Sequence, residues 1–197
     1  MSILHTAGED EAQGAVAAAY AADRSALGYV PSHTKVLAIN PEAFEAWKAL
    51  QGSIAKSMGM RRYELVTLAA ALGIGSRHCR LAHGNKSLKC FDEQELLRIA
   101  RDYRTAGLED AEVAMMDFAV KLSTDSAAMG EADSRRLRDL GFSDREIVDI
   151  TLAAAARNYL SRILQALDVD VDVPPTLSKE MRGALLDPLE ALPAVAD

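Results

Sequence analysis

An all-helical fold is what this sequence predicts, and three observations carry that prediction. The chain is 49% hydrophobic but only 5% aromatic, and its alanine and leucine suit close packing of small-residue helices better than strands rich in Val, Thr and Tyr. Apolar residues recur at intervals of three and four through most of the length, which is the helical period. The periodic runs open on capping residues or acids and stop at glycines. At 197 residues the chain is long enough to bury a sizeable core. The expected organisation is one helical domain over residues 1–167, followed by a C-terminal tail, residues 168–197.

The elements follow in order. Residues 9–27 carry acids at the front and an alanine-rich body, as a first helix should, and Gly28-Tyr29-Val30-Pro31-Ser32 ends it. A short segment, 33–39, precedes Asn40-Pro41, where Asn can cap and Pro can take the first helical position. The helix from Pro41 to about Met58 places Phe44, Trp47, Leu50, Ile54 and Met58 on one stripe. Gly59 separates it from a helix over 61–72, marked by Leu65, Leu68, Ala69 and Leu72. Gly73-Ile74-Gly75-Ser76 is poor helix interior and a good sharp turn, so Ser76 caps a new helix from Arg77 to about Lys89. Further helices are expected at 92–105, 109–123 and 130–139. Ser143 and Glu146 form a capping box for the longest, Asp144–Leu167. Beyond it Pro174-Pro175 stops any strand, leaving an extended tail with one short helix at about 178–186.

Charge and cysteine content narrow the function. Twenty-two Lys and Arg against twenty-nine Asp and Glu leave a formal charge of -7, the wrong sign for a protein that neutralises phosphates, so nucleic acid is not an expected partner. No basic leader precedes an apolar run, and no window approaches the roughly 20 apolar residues that span a bilayer. A soluble, cytoplasmic protein without a membrane partner is expected. The two cysteines, Cys79 and Cys90, would be about 16 Å apart along one helix, beyond the roughly 7 Å between bridged Cα atoms. Reduced thiols are therefore the default.

An internal repeat emerges when residue 59 is laid on residue 141. Gly59, Glu64, Val66 and Ala71 then meet Gly141, Glu146, Val148 and Ala153. The active-site segment, 59–90, is matched by a second copy at 141–167 that has Asn158, Ser161 and Gln165 where the first has Ser76, Cys79 and His83. A duplicated scaffold would so keep one reactive site.

The chemistry is concentrated between Glu64 and His83. Ser76, His78, Cys79 and His83 fall within eight residues, and Cys79 and His83, one helical turn apart, share a face. Near the start of a helix the unpaired N–H groups and the dipole favour an anion, which marks Cys79 as a candidate nucleophile. His83 can take or relay its proton, with Glu64 as orienting carboxylate. A carboxylate amid Leu65, Leu68 and Leu72 should have a raised pKa unless paired. His78 points about 100° away from Cys79 on a helix, and so orients substrate or faces a neighbouring subunit. Each residue has a plainer alternative: a small buried thiol, a core histidine, a capping acid. A zinc site would need ligand spacings such as His-x-x-x-His or Cys-x-x-Cys, which are absent, and no cofactor-binding fingerprint occurs. Neither metal nor cofactor is expected.

The pattern Glu64, eleven residues, Ser76-Arg77-His78-Cys79, three residues, His83 resembles the active-site segment of the alkyl hydroperoxidase and carboxymuconolactone decarboxylase family, with Ser76 in place of its first cysteine. The Gly-Tyr-Val-Pro entry, the Asn-Pro helix start and the Leu-Gly-Phe-Ser-Asp-Arg-Glu segment extend the resemblance from roughly residue 28 to 167. It implies an all-helical fold that assembles into homo-oligomers. It also implies a thiol peroxidase in which Cys79 attacks a hydroperoxide, Glu64, His78 and His83 relay protons, and Ser76 leaves resolution to an external thiol or to Cys90. The alternatives it leaves are a lactone decarboxylase using Glu64 and His83, or a helical oligomer without catalysis.

Overall fold

The computed structural model describes residues 4–190, and these contain helices and no strand. The helices are α1 (Gly14–Leu27), α2 (Ser32–Leu37), α3 (Pro41–Met58), α4 (Met60–Gly73), α5 (Arg77–Ser87), α6 (Glu93–Asp102), α7 (Asp110–Asp125), α8 (Glu131–Asp139), α9 (Asp144–Ala166) and α10 (Lys179–Glu190). The caps expected from the sequence are in place. Asn40, Ser76 and Ser143 accept hydrogen bonds from the main-chain N–H groups of Ala43, Cys79 and Glu146.

Helix α4 is the axle of the molecule, packed against α7, α9 and α5. Every residue from Tyr63 to Ala71 is buried, as befits a helix surrounded on all sides. Two glycines at its end have separate tasks. A Cβ on Gly73 would stand 2.9 Å from the Val120 carbonyl oxygen, so this position lets α7 come close. Gly75 adopts φ 67°, the left-handed turn that re-aims the chain into α5.

The core has two parts. The larger gathers Leu65, Leu68, Leu81, Leu96, Met115 and Ile150 around α4, and the smaller seats Tyr20, Val36, Phe44 and Trp47 against the C-terminal half of α9. Phe44, Trp47 and Ile54 are thus spent inside the chain, and Leu50 alone of that central stripe is left outside. Met116 is likewise buried. The apolar surface lies instead on α9, where Val148, Leu152 and Tyr159 are about half exposed.

The segment after α9 does more than trail. Val169 joins the smaller core, and Leu177, Met181, Ala184 and Leu185 join the larger one through contacts of α10 with α5 and α6. The helix expected at 178–186 runs Lys179–Glu190, with Met181, Ala184 and Leu185 at helical spacing on its buried side. Leu185 closes directly over Gly84 of α5, where any Cβ would collide with it. Residues 1–3 and 191–197, the ends of the expected domain and tail, lie outside the described residues. No helix among those described is long and apolar enough to cross a membrane.

Candidate active site

The bend at Gly73–Ser76 turns α5 back so that its first turns lie against α4 and α9. Ser76, itself buried, caps α5 by accepting the Cys79 N–H at 3.4 Å. Cys79 is 2% exposed. Its sulfur lies 3.2 Å from the Ser161 hydroxyl and accepts from Arg157 Nη1 at 3.6 Å, both from α9. Arg157 Nη2 also donates to the Tyr63 hydroxyl at 3.5 Å.

One turn further along α5, His83 Nδ1 meets Glu64 Oε2 at 2.7 Å, with both side chains shut off from solvent. Burial pushes Glu64 up to about 7, against the charges of Lys86, Arg157 and Lys89, because nothing solvates a carboxylate there. Burial likewise pushes His83 well down, helped by Arg157 and Lys86. The pair is therefore best described as one unit holding a shared proton, and it gains or loses its net charge near neutrality. Such a pair can give a proton and take one back without leaving its hydrogen bond.

The spacing in the sequence led to Glu64, Cys79, His83 and Ser76 gathering around one bend, and the structure brings these together, though no direct hydrogen bond joins Cys79 to His83. His78 does not join them. It is half-buried and its Nε2 donates to the Asp170 carbonyl at 3.0 Å, which ties α5 to the segment after α9. Cys90 is free, and its thiol donates to the Ser87 carbonyl. Eight residues of unbroken helix, about 12 Å, separate Cys79 from Ser87.

Arg157, Tyr63 and Ser161 were not singled out from the sequence. The one available signal was the repeat, since Ser161 is the offset counterpart of Cys79 and the two side chains touch. The other counterpart pair has parted company. Glu146 caps α9, and the Ser143 N–H, the Ser143 hydroxyl and Arg62 hold it down to about 2. Its copy Glu64 is buried and held up. Among the described residues no three His, Cys, Asp or Glu side chains converge as metal ligands.

The site is thus a buried cysteine at a bent helix start with a Glu–His pair one turn along, inside a helical bundle. The chain matches no protein-family model and no curated protein sequence, but solved structures match nearly all of it. It is similar to an uncharacterized peroxidase-related protein with an alkylhydroperoxidase AhpD core from Ralstonia eutropha JMP134, at 22% identity over 93% of this chain and 96% of that one, with a TM-score of 0.76. It is similar to a peroxidase-related protein of Silicibacter sp. TM1040 at 26% identity, covering 87% and 92%, with a TM-score of 0.77. The debrominase Bmp8, solved as a cysteine-to-alanine variant with 2,3,4-tribromopyrrole, shares the fold at 16% identity over 95% of this chain and 100% of that one, with a TM-score of 0.74. The chain has the AhpD-like helical fold.

Proposed function

We propose that the protein is a one-cysteine, thiol-dependent peroxidase that reduces alkyl hydroperoxides. The observation that carries this reading is the buried Glu64–His83 pair at 2.7 Å, one turn from a cysteine whose sulfur faces a guanidinium. The Cys79 thiolate attacks the terminal peroxide oxygen, the O–O bond breaks, and sulfur is oxidised to the sulfenic acid. The leaving alkoxide takes a proton from the Glu64–His83 pair and departs as the alcohol. One external thiol condenses with the sulfenic acid, releasing water. A second cleaves the mixed disulfide and restores Cys79. Ser76 cannot resolve the sulfenic acid, so the oxidised state waits for its reductant.

The expected result of peroxide treatment is loss of one thiol and a trappable sulfenic acid at Cys79, read by mass spectrometry with a sulfenate probe. Labelling at Cys90 alone, or a rapid Cys79–Cys90 disulfide, would contradict the assignment. A second reading, removal of halogen from a small aromatic ring by the same thiol, is favoured by the debrominase of the same fold. Halide release without peroxide consumption would select it. A lactone decarboxylase would work without sulfur, and its activity would survive Cys79→Ala.

The exposed stripe Val148–Leu152–Tyr159, beside an apolar groove of about 310 Å3 lined by Phe44, Trp47 and Leu37, is the face proposed to pair copies of the chain. Sedimentation at micromolar concentration should show an oligomer, and Leu152→Glu should dissociate it. A monodisperse parent monomer would end this proposal.

A further inference from the structure

Among the described residues two guanidinium groups are wholly inside the protein, and neither forms an ion pair with a carboxylate there. They are accommodated in opposite ways. Arg80 donates to three main-chain carbonyls, those of Leu185, Ala100 and Leu68. These tie α5 to α10, α6 and α4, which is a structural role. Arg157 reaches no carbonyl. Its partners are the Cys79 sulfur and the Tyr63 phenol, and among the described residues its Nε has no hydrogen-bond partner.

A buried cation left without an anion is strongly destabilising. Of the two groups that Arg157 touches, the thiol ionises far more readily than the phenol, whose ordinary pKa is about 10. We propose that Arg157 is a catalytic residue of the Cys79 site, holding the sulfur as its thiolate and then holding the sulfenate oxygen through the unpartnered Nε. The first half stands on the geometry alone, and the second rests on the peroxidase reading. Sulfur gains oxygen and gives up an electron pair to the departing alkoxide; the Glu64–His83 pair, having protonated that alkoxide, takes back the proton of the new S–OH, and the S–O⁻ so formed keeps one negative charge opposite the guanidinium. Ser161, 3.2 Å from the sulfur, supplies a second donor. Burial opposes the charge on Arg157, but Cys79, Tyr63 and Glu64 more than offset it and its pKa is raised. Arg80, with carbonyls for company, is pushed down by burial to about 10.

The test uses the full chain carrying Cys90→Ser, which leaves Cys79 as the sole thiol. The ultraviolet absorption of the thiolate, taken as the difference from Cys79→Ala, needs no reagent to enter the closed site. Arg157→Met should lower the thiolate signal at neutral pH and move the midpoint of that signal at least one pH unit higher, the least that one nearby opposite charge is worth. Arg157→Lys should restore part of it. A folded Arg157→Met with the parent's signal overturns the proposal. Should Arg157→Met not fold, Cys79→Asp and Cys79→Asn decide. An Asp variant at least as stable as the Asn variant supports a required anion, and a less stable one overturns it. A thiolate that depends on Arg157 in a protein that consumes no hydroperoxide would leave this inference standing and remove the peroxidase reading. Equal peroxide consumption and equal thiolate in parent and Arg157→Met would do the reverse.

Discussion

Replacing Glu64 by Gln should remove the proton relay and yet make the protein more stable above neutral pH. Burial lifts the folded-state value of Glu64 from 4.5 to about 7. The folded protein therefore binds a proton that the unfolded chain has already released, and the stability tied to it is full below pH 4.5 and lost as pH rises through about 7. That loss amounts to about 3 kcal/mol at most. Gln keeps the shape and a hydrogen bond to His83 but never ionises. His83, pushed down by burial, weakens the fold at low pH in parent and variant alike, so it cancels in the comparison. The melting temperatures of the two should be similar at pH 5 and diverge in favour of Glu64→Gln towards pH 8. Peroxide turnover should fall about 100-fold or more, the usual contribution of general acid–base catalysis. A melting-point difference that does not change between pH 5 and pH 8 would show that Glu64 is already ionised in the folded state.

The second large effect is expected from Ser76→Cys. Ser76 Oγ sits over the first turn of α5 and accepts the Cys79 N–H, so a thiol there starts on the same turn as Cys79 and within reach of its sulfur. Losing the hydroxyl cap costs about 1 kcal/mol. In exchange the Cys79 sulfenic acid can condense with the new thiol, releasing water and leaving an internal disulfide that a dithiol reduces. The variant should form this disulfide on peroxide treatment and turn over faster with a dithiol than the parent does. Adding Cys79→Ser should abolish both gains. If the disulfide forms and turnover does not rise, resolution is not what limits this protein, and the chemistry without peroxide takes precedence.

Local signals carried most of the fold. The caps at Asn40, Ser76 and Ser143 and the glycine bend before α5 are written within three or four residues of the structures they specify, because capping and turning are local events. Glu64 and His83 were legible for a related reason, since only the 73–76 bend lies between their helices. Arg157 and Tyr63 were not, because Arg157 reaches the sulfur across 78 residues and the Tyr63 hydroxyl across 94, and no spacing announces a contact made only by helix packing. The role of α10 was hidden differently. Met181, Ala184 and Leu185 are at helical spacing, but prolines and acids precede them, and burial against Gly84 depends on an absent side chain in another helix.

The bond between Arg80 and the Leu185 carbonyl spans 105 residues, and it sets a timetable. Ribosomal synthesis at roughly 5–20 residues per second needs about 5–20 s to extend the chain from the cysteine-bearing helix to the helix that backs it. For most of that interval the thiol has been made without Arg157 and Ser161, and for all of it without the wall behind α5. The site therefore acquires its surroundings in two steps, first from α9 and then, behind α5, from α10 once it has left the ribosome and docked. Translation that stops short of that helix would release a protein holding every candidate residue in sequence but lacking the wall behind α5.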